Sequence, residues 1–335
     1  MNRLVQLLLG IAISALCVWL SMKDVHVSEV LAALRGANGA GFVGVMLITL
    51  FGFWLRAVRW RYFIDAGRRL PLRSLFSATM IGFMANNVLP FRLGEFVRPW
   101  ALARHERLSK TTLLATIVVE RAVDMLTLLG IFGVTMVVHP IAENSDAGRL
   151  VQWGARLLVG LCVALTVFVI AIERNRRLAQ GLVRFVTNPL PGEGRARVAE
   201  MLERFIEGLG LFRDFGRLAV VFALSFAMFL CFACALALSL WSLGIVLPWY
   251  AGLVMLVITA IGIMVPAAPG YIGTLNIACT AGLALFGVGK AQSVPFSWFY
   301  FFSQWLPITA VGLIYLNREG LSLRSLGQVR GGEPA

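Results

Sequence analysis

The sequence predicts an all-α polytopic membrane protein, in which six spanning helices and two re-entrant (or fully crossing) helical hairpins form an inverted repeat. Two observations predict this fold class. Hydrophobic residues make up 59% of the 335 positions, and the mean hydropathy is +0.81. Apolar stretches of about 20 residues, the length that crosses a bilayer, alternate with short basic segments. We therefore treat residues 1–335 as a single transmembrane domain.

Six segments are long enough to cross a membrane, and the first of them follows Arg3. The apolar part of this first segment is long and no small-x-small cleavage motif follows it. We therefore interpret it as a retained span rather than a signal peptide. The predicted spans are 4–22, 40–60, 111–138, 150–172, 218–243 and 296–316.

The loops between these spans alternate in charge. Residues 59–75 carry five arginines and one aspartate, and 173–217 carries nine arginines, whereas 139–149 carries two acidic residues and one arginine. Because arginine-rich loops stay in the cytoplasm, both termini are predicted to be cytoplasmic. The net charge of +13 is thus explained by contact with anionic lipid, and nucleic acid is not an expected partner. Within the longest loop, residues 195–212 show helical spacing of apolar residues, which predicts an amphipathic surface helix.

Two further apolar segments, 75–105 and 249–289, are interrupted midway by proline and glycine, which predicts hairpins of short helices. The first break lies 90 − 40 = 50 residues after the start of the second span, and the second break lies 269 − 218 = 51 residues after the start of the fifth. The halves 1–138 and 150–316 each contain three crossings, so their orientations must be opposite. Interrupted segments at matching positions indicate an inverted-repeat transporter with its site near the midplane.

The first break carries amides and charges beside its proline and glycine. The alternative to a re-entrant tip is a plain cytoplasmic loop between two helices. We favour the tip, because three charges are spaced as on one helical face beside the break, and irregular backbone at membrane depth must line a cavity. The residues concerned are Asn86, Asn87, Pro90, Arg92, Gly94, Glu95 and Arg98. The second break contains Pro269, Gly270 and Gly273.

The third span carries three charges where charge is costly. Glu120 lies nine residues, about 14 Å, after Thr111, which is near the middle of a hydrocarbon core of about 30 Å. A charge at the centre of a span costs about 3 kcal/mol on insertion scales. Glu120, Arg121 and Asp124 therefore need a structural reason: either an ion pair that only packs helices, or an ionisable cluster that faces the cavity of the hairpin tips.

Cysteine and histidine indicate no metal or cofactor. All five cysteines lie inside apolar runs, and the three histidines are scattered. Cys231 and Cys234 have the spacing of a redox motif, but they lie in the middle of a span, where small packing residues are the better interpretation.

The motifs of the breaks and of the third span together resemble the lysylphosphatidylglycerol synthase transmembrane (flippase-like) family. The residues that carry the resemblance are Asn87, Pro90, Arg92, Gly94, Glu95 and Arg98, then Glu120, Arg121 and Asp124, then Pro269, Gly270 and Gly273. Two departures matter. Asn276 stands where family members often carry a glutamate, and the soluble lysyl-transferase domain of fused relatives is not expected here. The resemblance implies a non-enzymatic membrane function in the bacterial cytoplasmic (inner) membrane.

The function expected from these residues is a lipid flippase for an amphiphile with an anionic headgroup. Arginine suits phosphate because its planar fork donates hydrogen bonds in pairs. The expected substrate-binding residues are Arg92, Arg98, Arg121, Asn86, Asn87 and Asn276, and the expected charge partners or coupling residues are Glu95, Glu120 and Asp124. The alternative is a non-transporting subunit that presents a lipid to a separately encoded glycosyltransferase or other lipid-modifying enzyme. An integral-membrane enzyme is less favoured, because the sequence has no evident nucleophile–base pair.

Overall fold

The fold is all-helical over the residues that the structure, a computed structural model, describes. These are 3–23, 25–64, 68–89, 92–139, 215–264 and 269–322, with five isolated positions between 160 and 188. The helices in this part of the chain are α1 (Arg3–Met22), α2 (Val27–Gly36), α3 (Gly39–Phe63), α4 (Leu72–Val88), α5 (Gly94–Glu106), α6 (Lys110–Val138), α7 (Phe215–Ser242), α8 (Ala251–Met264), a 3₁₀ turn (Pro269–Tyr271), α9 (Thr274–Ala284) and α10 (Lys290–Arg318).

Four of these helices are long and apolar enough to cross a membrane: α3, α6, α7 and α10. They correspond to the predicted spans 40–60, 111–138, 218–243 and 296–316, and they make the chain a multi-pass membrane protein. The predicted span 4–22 coincides with the helix α1. The predicted span 150–172 and the amphipathic helix 195–212 lie outside the described residues, apart from isolated positions. The inverted-repeat arrangement and the span count therefore stay predictions.

The two predicted hairpins are pairs of short helices. The helix α4 has 17 residues and α5 has 13, while α8 has 14 and α9 has 11. At 1.5 Å per residue all of them are shorter than a core of about 30 Å. The helix α4 extends past the apolar run that predicted it and includes Asn86 and Asn87 in its last turn. Whether the hairpins re-enter or cross stays a prediction.

The chain forms two compact units. The first contains Met1–Ala57, Pro71–Glu106 and Ala227–Ala335, and the second contains Val58–Leu70 and Arg107–Phe226. In the first unit, buried side chains of α3, α4 and α10 form one core cluster: Phe53, Met80 and Ile308. In the second unit, α6 and α7 meet through the cluster of Val123, Leu218 and Val221. The hydrocarbon core of a membrane contains no water to bind backbone N–H and C=O groups. Apolar helices of this kind therefore complete their backbone hydrogen bonds internally.

Candidate functional site

The second unit holds a buried ion cluster that centres on an arginine of α3. Arg59 Nη2 lies 3.1 Å from Glu120 Oε1, and Arg59 Nη1 lies 2.6 Å from Asp124 Oδ1. The side chains of Arg59 and Glu120 are 0% exposed, and that of Asp124 is 7% exposed. The same Nη1 group donates a hydrogen bond of 2.7 Å to Ser225 Oγ on α7. One guanidinium therefore joins three helices by charge-assisted contacts.

Arg59 is the residue that sequence reasoning missed. The predicted span ends at residue 60, and Arg59 is included among the arginines of the predicted cytoplasmic loop that follows. The structure corrects this boundary, because α3 continues to Phe63 and Arg59 is fully buried. The sequence signal that could have indicated its burial is the aromatic residues that follow it. One of them, Trp60, is 0% exposed and donates from Nε1 to Thr116 Oγ1 at 3.0 Å.

Within α6, two of the three predicted cluster residues form an ion pair with each other. Arg121 Nη1 lies 3.4 Å from Asp124 Oδ2, and the Arg121 side chain is 38% exposed. Asp124 thus contacts two arginines, one buried and one partly exposed. Asp124 also lies at the midpoint of the helix Lys110–Val138, since (110 + 138)/2 = 124. The charges of this cluster are therefore in the central part of a helix that is long enough to span.

In the first unit the two hairpin breaks meet. A Cβ atom on Gly270 would lie 3.4 Å from the carbonyl oxygen of Asn87 and 3.2 Å from the indole of Trp305. Asn87 Nδ2 donates a hydrogen bond of 3.0 Å to Thr309 Oγ1 on α10. The two breaks therefore lie against each other, with α10 beside them.

A cation–π contact also joins the breaks. The Arg92 guanidinium lies 5.4 Å from the centre of the Tyr271 ring, and its Nη2 donates to the carbonyl oxygen of Ile263, the last turn of α8. Arg92 has φ of 53° and Tyr271 has φ of 61°. Left-handed backbone at a non-glycine residue costs about 1 to 2 kcal/mol, and such strain is concentrated at functional sites. In each break, a residue with left-handed backbone therefore presents its side chain to the other break.

The prediction of a shared helical face for Arg92, Glu95 and Arg98 is wrong for Arg92. The left-handed φ of Arg92 puts it before α5, which begins at Gly94. Glu95 lies in the first turn of α5, where a carboxylate complements the positive end of the helix dipole. Arg98 lies one turn further on and is 2% exposed.

Close packing of α4 against α5 fixes where Arg98 sits. A Cβ on Gly82 would lie 2.6 Å from Arg98 Cβ, so only glycine permits this approach. Gly94 donates its backbone N–H to Asn86 Oδ1 at 2.8 Å, and a Cβ on Gly94 would collide with the Gly82 carbonyl oxygen. Asn86 and Gly94 therefore join the two arms of the first hairpin directly below its tip. Pro90 lies outside the described residues.

Asn276 organises the second break from within the protein. Its Oδ1 accepts the backbone N–H of Gly273 at 3.1 Å, and its Nδ2 donates to Ser297 Oγ at 2.8 Å. Its side chain is 0% exposed. Gly273 itself has φ of 90°, which a side chain would strain. Both polar groups of Asn276 thus have protein partners, and its predicted contact with substrate stays a prediction.

A family model described as the lysylphosphatidylglycerol synthase TM region matches residues 7–312 of this chain. The chain belongs to this family. The resemblance inferred from the motifs of the breaks and of α6 is thereby confirmed. As a member of the lysylphosphatidylglycerol synthase TM region family, the chain combines a buried ion cluster in one unit with joined hairpin breaks in the other.

The chain is also similar to the glycosyltransferase AglD of Haloferax volcanii, with 24% identity over 227 residues. The matched region covers 62% of this chain and 36% of that relative. The chain thus matches little more than a third of AglD. The glycosyltransferase activity in the name is therefore said of AglD and not of this chain.

Proposed function

We propose that the chain moves a lipid with a phosphate-bearing headgroup, such as an isoprenoid-phosphate or glycerophospholipid, across the bacterial cytoplasmic membrane. The observation that carries the proposal is the buried cluster of Arg59, Glu120 and Asp124 in a spanning helix bundle. Replacing a buried ion pair by apolar residues of similar volume is often neutral or stabilising, so packing alone gives little reason to keep one. A path for a charged headgroup, in contrast, needs charged side chains inside the membrane.

The proposed mechanism is competition for arginine. Headgroup phosphate binds planar guanidinium groups within each unit: Arg92 and Arg98 in the first unit, with Asn86 and Asn87 as hydrogen-bond donors to ester or sugar oxygens, and Arg121 in the second. In the empty state, carboxylates of Glu95, Glu120 and Asp124 balance the positive charge. A carboxylate displaced by phosphate takes up a proton, which couples lipid binding to protonation and supplies one route to proton-linked transport.

The joined breaks support a gating role for the hairpin tips. Arg92 occupies a strained backbone conformation and contacts the Tyr271 ring and the Ile263 carbonyl oxygen. An anionic headgroup offers this guanidinium a stronger partner than a ring or a neutral carbonyl. Lipid binding is therefore expected to release the contact between the breaks. Asn276 and its Gly273 contact hold the second break in shape during this change.

A second candidate function is supported by the similarity to AglD, a protein named as a glycosyltransferase. In that case the chain would bind a lipid and present it to a lipid-modifying enzyme without moving it across the membrane. Presentation needs a site open to one side, whereas transport needs access from both sides in alternation. The two candidates therefore differ in translocation, not in lipid binding.

The first test of the proposal is the identity and the contacts of the bound lipid. Lipid extracted from the purified protein is identified by mass spectrometry, and its binding is then measured for Arg98→Gln, Arg121→Gln and the exposed control Arg73→Gln. We expect binding to fall in the first two variants only. Glu120→Gln should keep lipid binding and lose the dependence of that binding on pH. Unchanged binding in folded Arg98→Gln and Arg121→Gln proteins would remove the phosphate-binding role.

A further inference from the structure

A basic cavity lies within the second unit, away from the ion cluster's own contacts. It has a volume of about 480 Å³ and is walled by the end of α3 and the start of α7. This volume is within the range of small-ligand sites, about 300 to 1,000 Å³. Its lining includes Arg61, Arg68, Arg69 and Arg217, together with the apolar side chains of Ile64 and Val220.

The charge of the cavity favours an anion. Its described lining contains four arginines and no acidic residue. Asp65 and Asp214 are next to lining residues in the sequence and lie outside the described residues. Even if both carboxylates contributed, the formal charge would be 4 − 2 = +2. Charge of one sign in a concave site concentrates ligands of the opposite charge.

The position of the arginines adds geometry to this charge. Arg217 Nε donates a hydrogen bond of 2.8 Å to the Tyr62 carbonyl oxygen, which ties the first turn of α7 to the last turn of α3. The first turn of a helix also presents backbone N–H groups and a positive dipole end to an anion. Arg61 is half-buried, and its Nε atom has no hydrogen-bond partner among the described residues. A bound oxyanion would satisfy such a donor.

We propose that this cavity binds a phosphoryl oxyanion, carried either by the headgroup of an anionic lipid or by a free phosphate. Guanidinium groups bind phosphate through paired hydrogen bonds, and several of them converge here. The cavity lies at the ends of two helices that can span the membrane, Gly39–Phe63 and Gly216–Ser242, where headgroups lie in a bilayer. The inference goes beyond the proposed function, because binding at this position requires no transport.

The test measures binding to the full-length protein in detergent with three probes: short-chain phosphatidylglycerol, phosphatidylcholine of the same chain length, and inorganic phosphate. The cavity variant is Arg68→Gln with Arg69→Gln, and the matched control is Arg73→Gln with Arg318→Gln. All four side chains are exposed, so both double variants are expected to fold. Arg61→Gln is a second cavity variant that removes the half-buried guanidinium.

We expect the cavity double variant to bind phosphatidylglycerol about tenfold more weakly, because it loses two charge-assisted contacts to the headgroup. The control should stay within about twofold, since Arg73 and Arg318 do not line the cavity and exposed charges away from a ligand contribute little. Weaker binding of phosphatidylglycerol but not of inorganic phosphate identifies the lipid headgroup as the ligand, and the reverse identifies a free phosphate. Binding of phosphatidylcholine, whose headgroup has no net charge, should be the same in the cavity variants and the control. Equal binding of phosphatidylglycerol and of inorganic phosphate by the cavity variants and the control overturns the proposal. A protein that binds here but moves no lipid would contradict only the proposed transport.

Discussion

Replacement of Arg59 by glutamine is the change that should disturb the protein most. Arg59 contacts Glu120 at 3.1 Å, Asp124 at 2.6 Å and Ser225 at 2.7 Å, and it is fully buried. Removing one member of a buried ion pair costs about 3 to 5 kcal/mol, because the remaining charge loses its compensation. Asp124 would keep Arg121 at 3.4 Å, whereas Glu120, at 0% exposure, loses the guanidinium. We therefore expect a loss within this range, about 3 to 5 kcal/mol, most of it from Glu120.

The assay is denaturant unfolding of the purified protein in detergent micelles. The double variant Arg59→Gln with Glu120→Gln should recover much of the loss, because it removes both charges of the pair rather than one. The exposed control Arg73→Gln should change the free energy of unfolding by less than about 0.5 kcal/mol. An Arg59→Gln protein as stable as Arg73→Gln would refute the reasoning, since it would mean that the cluster is not buried in the folded state.

Three further predictions concern the second break and the topology. Gly270→Ala should destabilise the protein more than the matched control Gly244→Ala. Both glycines have positive φ (74° and 70°), which alone costs alanine about 1 kcal/mol. Only at Gly270 would the new Cβ also contact a neighbour, Trp305 at 3.2 Å. Thermal unfolding measures the difference, and equal shifts would contradict the close approach. Asn276→Ala should cost about 1 to 2 kcal/mol by removing the cap on Gly273, and Asn276→Asp, which keeps the acceptor oxygen but buries a carboxylate and loses the donor to Ser297, should cost no less; thermal unfolding measures both. Single cysteines in a cysteine-free background should be labelled from outside at position 146 and from the cytoplasm at position 330; labelling of position 146 only from the cytoplasm would refute the inverted repeat.

The helices and the breaks could be predicted because their signals are local. Length and apolar composition identified the four spanning helices α3, α6, α7 and α10, and proline and glycine identified both interruptions. The register at the first break was missed, because a left-handed Arg92 cannot be distinguished from a helical one by spacing. Residue types with a known backbone preference, such as Gly270, could be assigned from sequence, and strained non-glycine residues could not.

Only the acidic residues of the ion cluster could be predicted from the sequence. Glu120 and Asp124 stand out because charge in an apolar run is rare. Arg59 stands at the end of an apolar run, where arginine usually belongs to a cytoplasmic loop, so its pairing with α6 is a tertiary fact that local pattern does not contain. The partners of Asn276 are likewise a tertiary fact. Its amide side chain suggested a contact with substrate, whereas the structure gives it two protein partners.

The measurement that tests the central proposal most directly is lipid translocation in reconstituted vesicles. A fluorescent lipid with a phosphate-bearing headgroup is placed in both leaflets, and the fraction accessible to an external quencher is followed for wild type and for Arg98→Gln, Arg121→Gln and Arg73→Gln. The proposal predicts translocation by the wild type and by Arg73→Gln, and its loss in the other two variants while they insert and purify as single species. Binding of the lipid by the wild type without any translocation would contradict the transport proposal and favour a presenting subunit.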